Sequence, residues 1–169
     1  SAAFNVSASF RDLASALAVK ARRVAYVDAD LQRWAFQHRR SELFAALEES
    51  APRTEVQVIE APLRIDVAAR TIAGALGSGP APDVIVCADD VLTAGAYHAL
   101  PAVGLRSEHD IDVFTFGGTV VGHALLPQPR GVRASGASLG SAAIELHLDQ
   151  NPTTTEVDVP TQAVLDGPC

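Results

Sequence analysis

Apolar positions recur along this chain in two alternating rhythms. From Ser7 to Val19 they fall at three- and four-residue intervals (Phe10, Leu13, Ala14, Leu17), which places them on one face of a helix. Val24-Ala25-Tyr26-Val27 is instead a continuous β-prone run closed by Asp28, the pattern of a strand covered on both faces. The alternation then repeats. Phe36 to Glu49 carries Leu43, Phe44 and Leu47 on a helical stripe, and Glu55 to Ile59 is strand-like. A helix is predicted from about Asp66 to Leu76, stopped by Gly77 and Pro80, and a strand over Asp83 to Cys87. A helix from about Asp90 to Leu100 leads to a strand over Ile111 to Phe116.

Strand and helix in this order imply right-handed βαβ crossovers, so the fold class is α/β with a doubly wound, mostly parallel sheet. After Gly117-Gly118 the rhythm changes. A loop carrying Pro127 and Pro129 precedes a short extended piece, Gly131 to Arg133, and a helix over Ala137 to Leu148. Glu156 to Leu165 alternates at Val157, Val159 and Val164, and reads as one strand added at a sheet edge.

Composition narrows the function classes. With 48% hydrophobic and 20% charged residues, the chain has an ordinary globular balance. Its formal net charge of -7, with Lys and Arg scattered, is a surface that repels a phosphate backbone, so these residues are not expected to grip DNA themselves. Two cysteines, Cys87 and Cys169, cannot form a disulfide framework, and Cys87 lies in an apolar run that suits a buried, inert thiol. No apolar run approaches the roughly 18 residues of a membrane span, and no secretory leader pattern opens the chain. A cytoplasmic location is the expectation.

Ligands of open parallel sheets gather beyond the carboxyl ends of the strands, where helix N-termini converge. Asp28, Asp30, Trp34, Arg39, Arg40, Asp89 and Asp90 fall there. The Asp89-Asp90 pair can cap the next helix, accept hydrogen bonds from a hydroxylated ligand, or serve metal or acid-base chemistry. Arg40 can present a planar fork of donors to a ligand or lie on a solvated helix face. Trp34 can stack on a ligand ring or cover the edge of the core. A phosphoryl-accepting carboxylate cluster would want a lysine at a later strand end, and the only lysine is Lys20. The five histidines have no zinc spacing, and no phosphate-cradling glycine loop or nucleophile elbow is present, so no cofactor, no metal and no catalytic residue is assigned.

Read in order, these segments resemble a known family. Arg22 to Val27 resembles the "hrRIafi" strand of LacI/GalR-type transcriptional regulators, and Arg40-Ser41-Glu42-Leu43-Phe44-Ala45-Ala46-Leu47 resembles their "RxxGFxxAL" helix. Pro82 to Asp90 followed by Ala94-Gly95-Ala96 is similar to "pdAifaaND…a.G.l.al", and Asp110 to Gly118 to "DisVvGfDd". The resemblance implies a two-lobed, periplasmic-binding-protein type I-like sensor, of which this chain carries the later part. Residues 1–22 would be a helix remnant of the first lobe, 23–134 the effector-binding second lobe, 135–150 a first-lobe helix, and 151–169 a return strand and tail. It implies no enzyme but a small-molecule effector, a sugar or related metabolite, with Arg40, Asp89 and Trp34 as direct contacts and Asp90 as helix cap. It also implies a homodimer with no membrane contact, and DNA binding only through a helix-turn-helix absent from this chain.

Two departures bear on the ligand. The asparagine of the "ND" pair falls on Asp89, and the aspartate of "GfD" falls on Gly117. A carboxylate at 89 favours a ligand with an amine or several donors. The alternatives are an exported solute-binding protein on the same fold, and a carboxylate-dependent enzyme using Asp28, Asp89 and Asp90 with a divalent ion.

Overall fold

The computed structural model describes residues 2–29, 33–148 and 157–165. Asp30 and Cys169, both singled out above, lie outside them. The elements in chain order are β1 (Ala2–Asn5), α1 (Ser7–Lys20), β2 (Arg23–Ala29), α2 (Trp34–Ser50), β3 (Glu55–Ala61), α3 (Ile65–Gly77), β4 (Val84–Cys87), α4 (Asp90–Ala99), β5 (Asp112–Gly117), α5 (Val120–Ala124), β6 (Arg130–Arg133), α6 (Gly136–Leu148), β7 (Val157–Pro160) and β8 (Gln162–Val164). A 3-10 turn, Leu100–Val103, extends α4.

Six strands form one sheet in the order β3-β2-β4-β5-β6-β8, and β1 pairs with β7 in a separate two-stranded sheet. Pairing is parallel everywhere except β8, which runs antiparallel to β6. The sheet is therefore mixed, with a parallel body and one antiparallel edge strand. Its central strands are buried nearly throughout, as their unbroken apolar runs require. Because the chain steps outward from β2 to β3 and then crosses back to β4, right-handed crossovers put α2 on one face and α3 with α4 on the other. Gly95 allows α4 its close approach to α3, since a Cβ there would lie 2.7 Å from that of Ala68.

Helix α1 packs on α2, and its Phe10, Leu13 and Leu17 join the same core as the sheet. The segment assigned to the first lobe as residues 1–22 thus sends its helix into the body of the sheet structure. By contrast, α6 packs on β1 and β7 and has no buried residue, with Ile144 and Leu148 exposed.

Three elements differ from the sequence reading. Strand β1 has too short a pattern to read, and α5 forms where glycine and proline suggested only loop. The single edge strand expected over Glu156 to Leu165 is two strands in two sheets. Pro160, which has no N–H to donate, ends β7, and Thr161 carries the chain over to β8. Its hydroxyl lies 2.9 Å from both the Asn5 carbonyl and Ser9 Oγ, fixing that crossing point.

Candidate functional site

The carboxyl ends of β2, β4 and β5 bring the polar residues of the sequence reading to one edge of the sheet. Strand β4 ends at Cys87, whose thiol is fully buried and pushed up to about 12 by that burial, as an inert core cysteine should be. The chain then turns through Ala88 into α4. It is Asp89, not Asp90, that caps this helix. Asp89 Oδ1 accepts from the Val91 N–H at 2.6 Å, with extended backbone at the cap position. Burial raises the Asp89 carboxyl above its ordinary value, offset in part by the Val91 bond, while neighbouring Asp90 raises it and Arg39 lowers it.

Asp90 does different work from the capping expected of it. Its side chain is buried, and it ties the start of α4 to the loop after β5. Oδ2 accepts from the N–H groups of Gly118 (3.1 Å) and Thr119 (2.8 Å) and from Thr119 Oγ1 (2.6 Å), and Oδ1 accepts from Thr115 Oγ1 (3.1 Å). Four neutral donors replace the water this carboxylate loses. A Cβ on Gly117 would lie 1.8 Å from Asp90 Oδ1, and one on Gly122 would lie 2.6 Å from it. Glycine at both positions is what lets the carboxylate in.

Helix α2 places its two arginines differently. Arg40 turns toward β2 and β3, with Nη1 3.5 Å from Asp28 Oδ2 and 3.8 Å from Glu60 Oε1. Asp28, buried at the end of β2, also accepts from the Ala29 N–H, and its carboxyl is raised by burial. Arg39 faces inward. Its guanidinium lies 4.0 Å from the ring centroid of Phe116 and 5.1 Å from that of Phe36, and Nη1 donates to the Ala88 carbonyl at 3.0 Å. Burial lowers its pKa, and the charge of Asp89 raises it.

A signal for Arg39 was present in the sequence. Phe36, Leu43 and Leu47 are the buried stripe of α2, and Arg39 stands on that stripe at three residues after Phe36 and four before Leu43, whereas Arg40 is about 100° away. Set one residue earlier, the "RxxGFxxAL" pattern begins at Arg39 and ends on Ala46-Leu47.

Trp34 opens α2 on the side facing the small sheet. The residue is 64% exposed, and its ring stacks on His38 one turn later, with centroids 4.9 Å apart and planes 10° from parallel. Together with Phe4, Asn5, Ser7 and Asp158 the pair lines a cavity of about 310 Å³ between α2 and the β1-β7 sheet. Phe4 reaches from this cavity to Phe116, edge to face at 6.4 Å, so the cavity adjoins the ring on which Arg39 lies. Among the described residues no hydrogen bond or ion pair joins Arg40, Asp89 and Trp34 to one another, and no group of three His, Cys, Asp or Glu residues is placed to hold a metal ion. No helix there is long and apolar enough to cross a membrane. The arrangement offers a ligand a carboxylate, a guanidinium seated over an aromatic ring, and an exposed indole.

No family model matches the chain. It is 31% identical over 86 residues to the lactose operon repressor of Rhizobium radiobacter, a match covering 49% of this chain and 76% of that protein. It is 29% identical over 112 residues to the ribose operon repressor of Halalkalibacterium halodurans, covering 64% of this chain but only 34% of the relative, so the chain spans about a third of that repressor's length. Among solved structures, a LacI family transcriptional regulator from Arthrobacter sp. FB24 in complex with lactose superposes with a TM-score of 0.82 at 22% identity, over 97% of this chain and 64% of the other.

Proposed function

The chain belongs to the LacI/GalR family of transcriptional regulators, and from that premise we propose that it is the effector-sensing segment of such a regulator, binding a sugar or related metabolite to control DNA binding carried by other residues. The sheet with its helices is then the second lobe of a periplasmic-binding-protein type I-like sensor. On this reading β1, β7 and α6 belong to the first lobe, and α1 belongs to the second.

The observation that carries the proposal is that Arg39 donates to the carbonyl of Ala88, the residue before Asp89, so that a guanidinium and a carboxylate both stand at the carboxyl end of β4, on the edge where an open parallel sheet takes its ligands. The lactose held by the Arthrobacter regulator supports a sugar as the ligand class. Asp89 accepts ligand hydroxyls, Trp34 covers a ring face from the β1-β7 side, and Arg40 fixes Asp28 and borders the cleft. Arg39 joins these three as a direct contact. The module works as a cytoplasmic homodimer in which effector binding shifts the balance between DNA-binding and released forms, and its role is binding without catalysis.

The test is calorimetric titration of the full-length protein with neutral sugars, alongside operator binding. Asp89→Asn and Arg39→Ala should each weaken effector binding tenfold or more while operator affinity without effector is kept. Unchanged effector affinity in both variants would remove these residues from the site.

A further inference from the structure

We propose that Ser9 and Thr161 form a hydroxyl clasp that holds the β1-β7-α6 unit in one orientation on the six-stranded body, and so tunes how readily a ligand draws the two together. This rests on reading the chain as an effector sensor.

The first observation is where the bond lies. Ser9 stands in the first turn of α1, which packs into the body, and Thr161 is the residue between β7 and β8, where the chain returns from the small unit. Their hydroxyl oxygens are 2.9 Å apart, and Thr161 Oγ1 lies 2.9 Å from the carbonyl of Asn5, the last residue of β1. A hydroxyl has one proton to give, so Thr161 donates to Asn5 and accepts from Ser9. Two crossings between the units, one just after Asn5 and one at Thr161, are thus fastened by side chains to each other and to α1. Ser7 extends the fastening, because its Oγ donates to Glu42 of α2. The crossing after β6 carries a backbone bond instead, from the Ala134 N–H to the Gly117 carbonyl at 2.8 Å.

The second observation is that such a bond adds little to stability. Ser9 is buried on the same helix as Phe10, Leu13 and Leu17. A hydroxyl pair in that setting regains little more than the hydration it lost, and an apolar pair of the same shape would serve the fold as well. What a hydrogen bond has and an apolar contact lacks is direction. It is gone once its atoms stand about 3.6 Å apart, whereas apolar side chains slide and repack. The clasp therefore selects an orientation without holding the fold together.

The third observation is the cavity beside it. The space of about 310 Å³ between α2 and the small sheet is lined by Asn5, Val6 and Ser7 of the first crossing, with Trp34, His38 and Asp158. Turning the small unit toward α2 narrows this cavity. Any such turn bends the chain at residues 160–162 and shifts Thr161 against Ser9, which α1 keeps fixed in the body. A ligand that draws Trp34 and the small sheet together must therefore break the clasp. Without the clasp the same ligand binds more tightly by the worth of one hydrogen bond, roughly fivefold.

The experiment compares the full-length protein with Ser9→Ala, Thr161→Val and the double variant. Denaturant unfolding of the double variant should keep the unaltered protein's midpoint. Hydrogen exchange should run about fivefold faster in residues 2–5 and 157–160 and at an unchanged rate in β2 and β4. In calorimetry with lactose, galactose and ribose, the best-bound sugar should bind the double variant about fivefold tighter, with the two substitutions not additive, since either one opens the clasp. Unchanged exchange in residues 2–5 and 157–160 would overturn the inference. So would exchange that quickens throughout the body together with a lower unfolding midpoint, the mark of an ordinary stabilising bond, or a sugar affinity unmoved while exchange at the clasp quickens. If none of the three sugars binds any form, the effector reading fails, and the exchange rates alone then uphold or overturn the clasp.

Discussion

The six-stranded body and the small β1-β7-α6 unit use similar raw material to opposite effect. Helices α1 and α6 are close in length, each with apolar residues at helical spacing, yet α1 buries Phe10, Leu13 and Leu17 while α6 buries none of its residues. The difference lies in what each helix faces. Helix α1 lies on α2 and reaches the sheet, whereas among the described residues α6 packs chiefly on the two short strands β1 and β7. Amphipathic spacing makes a face available, and only a second layer turns it into a core.

Substitutions can break this comparison, and the largest effect should come from the body. Leu13→Ala removes a fully buried side chain from the packed core and is expected to cost about 3 kcal/mol in denaturant unfolding. A cost near zero would mean that α1 is as loosely held as α6. Asp90→Ala should cost about 2 kcal/mol, because the buried Thr115 hydroxyl and the part-buried donors of Gly118 and Thr119 lose their acceptor. Hydrogen exchange should then quicken in residues 117–122 and not in α6.

Two carboxylates of the body sharpen the comparison through pH. Asp83 accepts from the Arg22 and Arg23 N–H groups at 2.8 and 2.9 Å, and these bonds hold its pKa below the ordinary value. Its contribution is present above that ordinary value and is lost as pH falls through the lowered one. Asp83→Ala should cost about 1 kcal/mol at neutral pH and little in acid. Asp89 runs the other way. Its raised pKa means that stability is lost as pH climbs from the ordinary carboxylate value through the raised one, so Asp89→Asn should raise the neutral-pH melting temperature slightly and flatten that part of the profile. A stabilised variant that binds effector poorly would mark Asp89 as a residue kept for function at some cost to the fold. The smallest effect belongs to the other unit. Ile144→Ser, at a position 60% exposed, should change stability by less than about 0.5 kcal/mol in this chain.

How far these features could be read from the sequence follows the same divide. Strands β2, β4 and β5 were legible because a strand buried on both faces must be apolar at every position, and their helices because each carries a clear stripe. Strand β1 and the division of β7 from β8 were not, since four residues such as Ala2–Asn5 hold too little pattern, and partner choice there depends on residues distant in sequence. Asp89 could be placed at the edge of the sheet because it stands two residues after the apolar strand β4 ends at Cys87. Asp90 was assigned the wrong partner because capping is a local habit, whereas its four donors lie 25 to 29 residues away. Which of Arg39 and Arg40 faces inward depends on the helical phase of α2, which a motif match that starts at Arg40 does not report.

The chain passes between the two units at three places, residues 5–7, 134–136 and 160–162. The second and third border one cavity, and Thr161 bonds back to the first through Asn5. Bodies joined by three short tethers set side by side keep little freedom to slide or separate, and what is left is chiefly rotation about a line through the tethers. In such a joint a small rotation near the tethers becomes a larger arc at the far end of α6, by leverage alone.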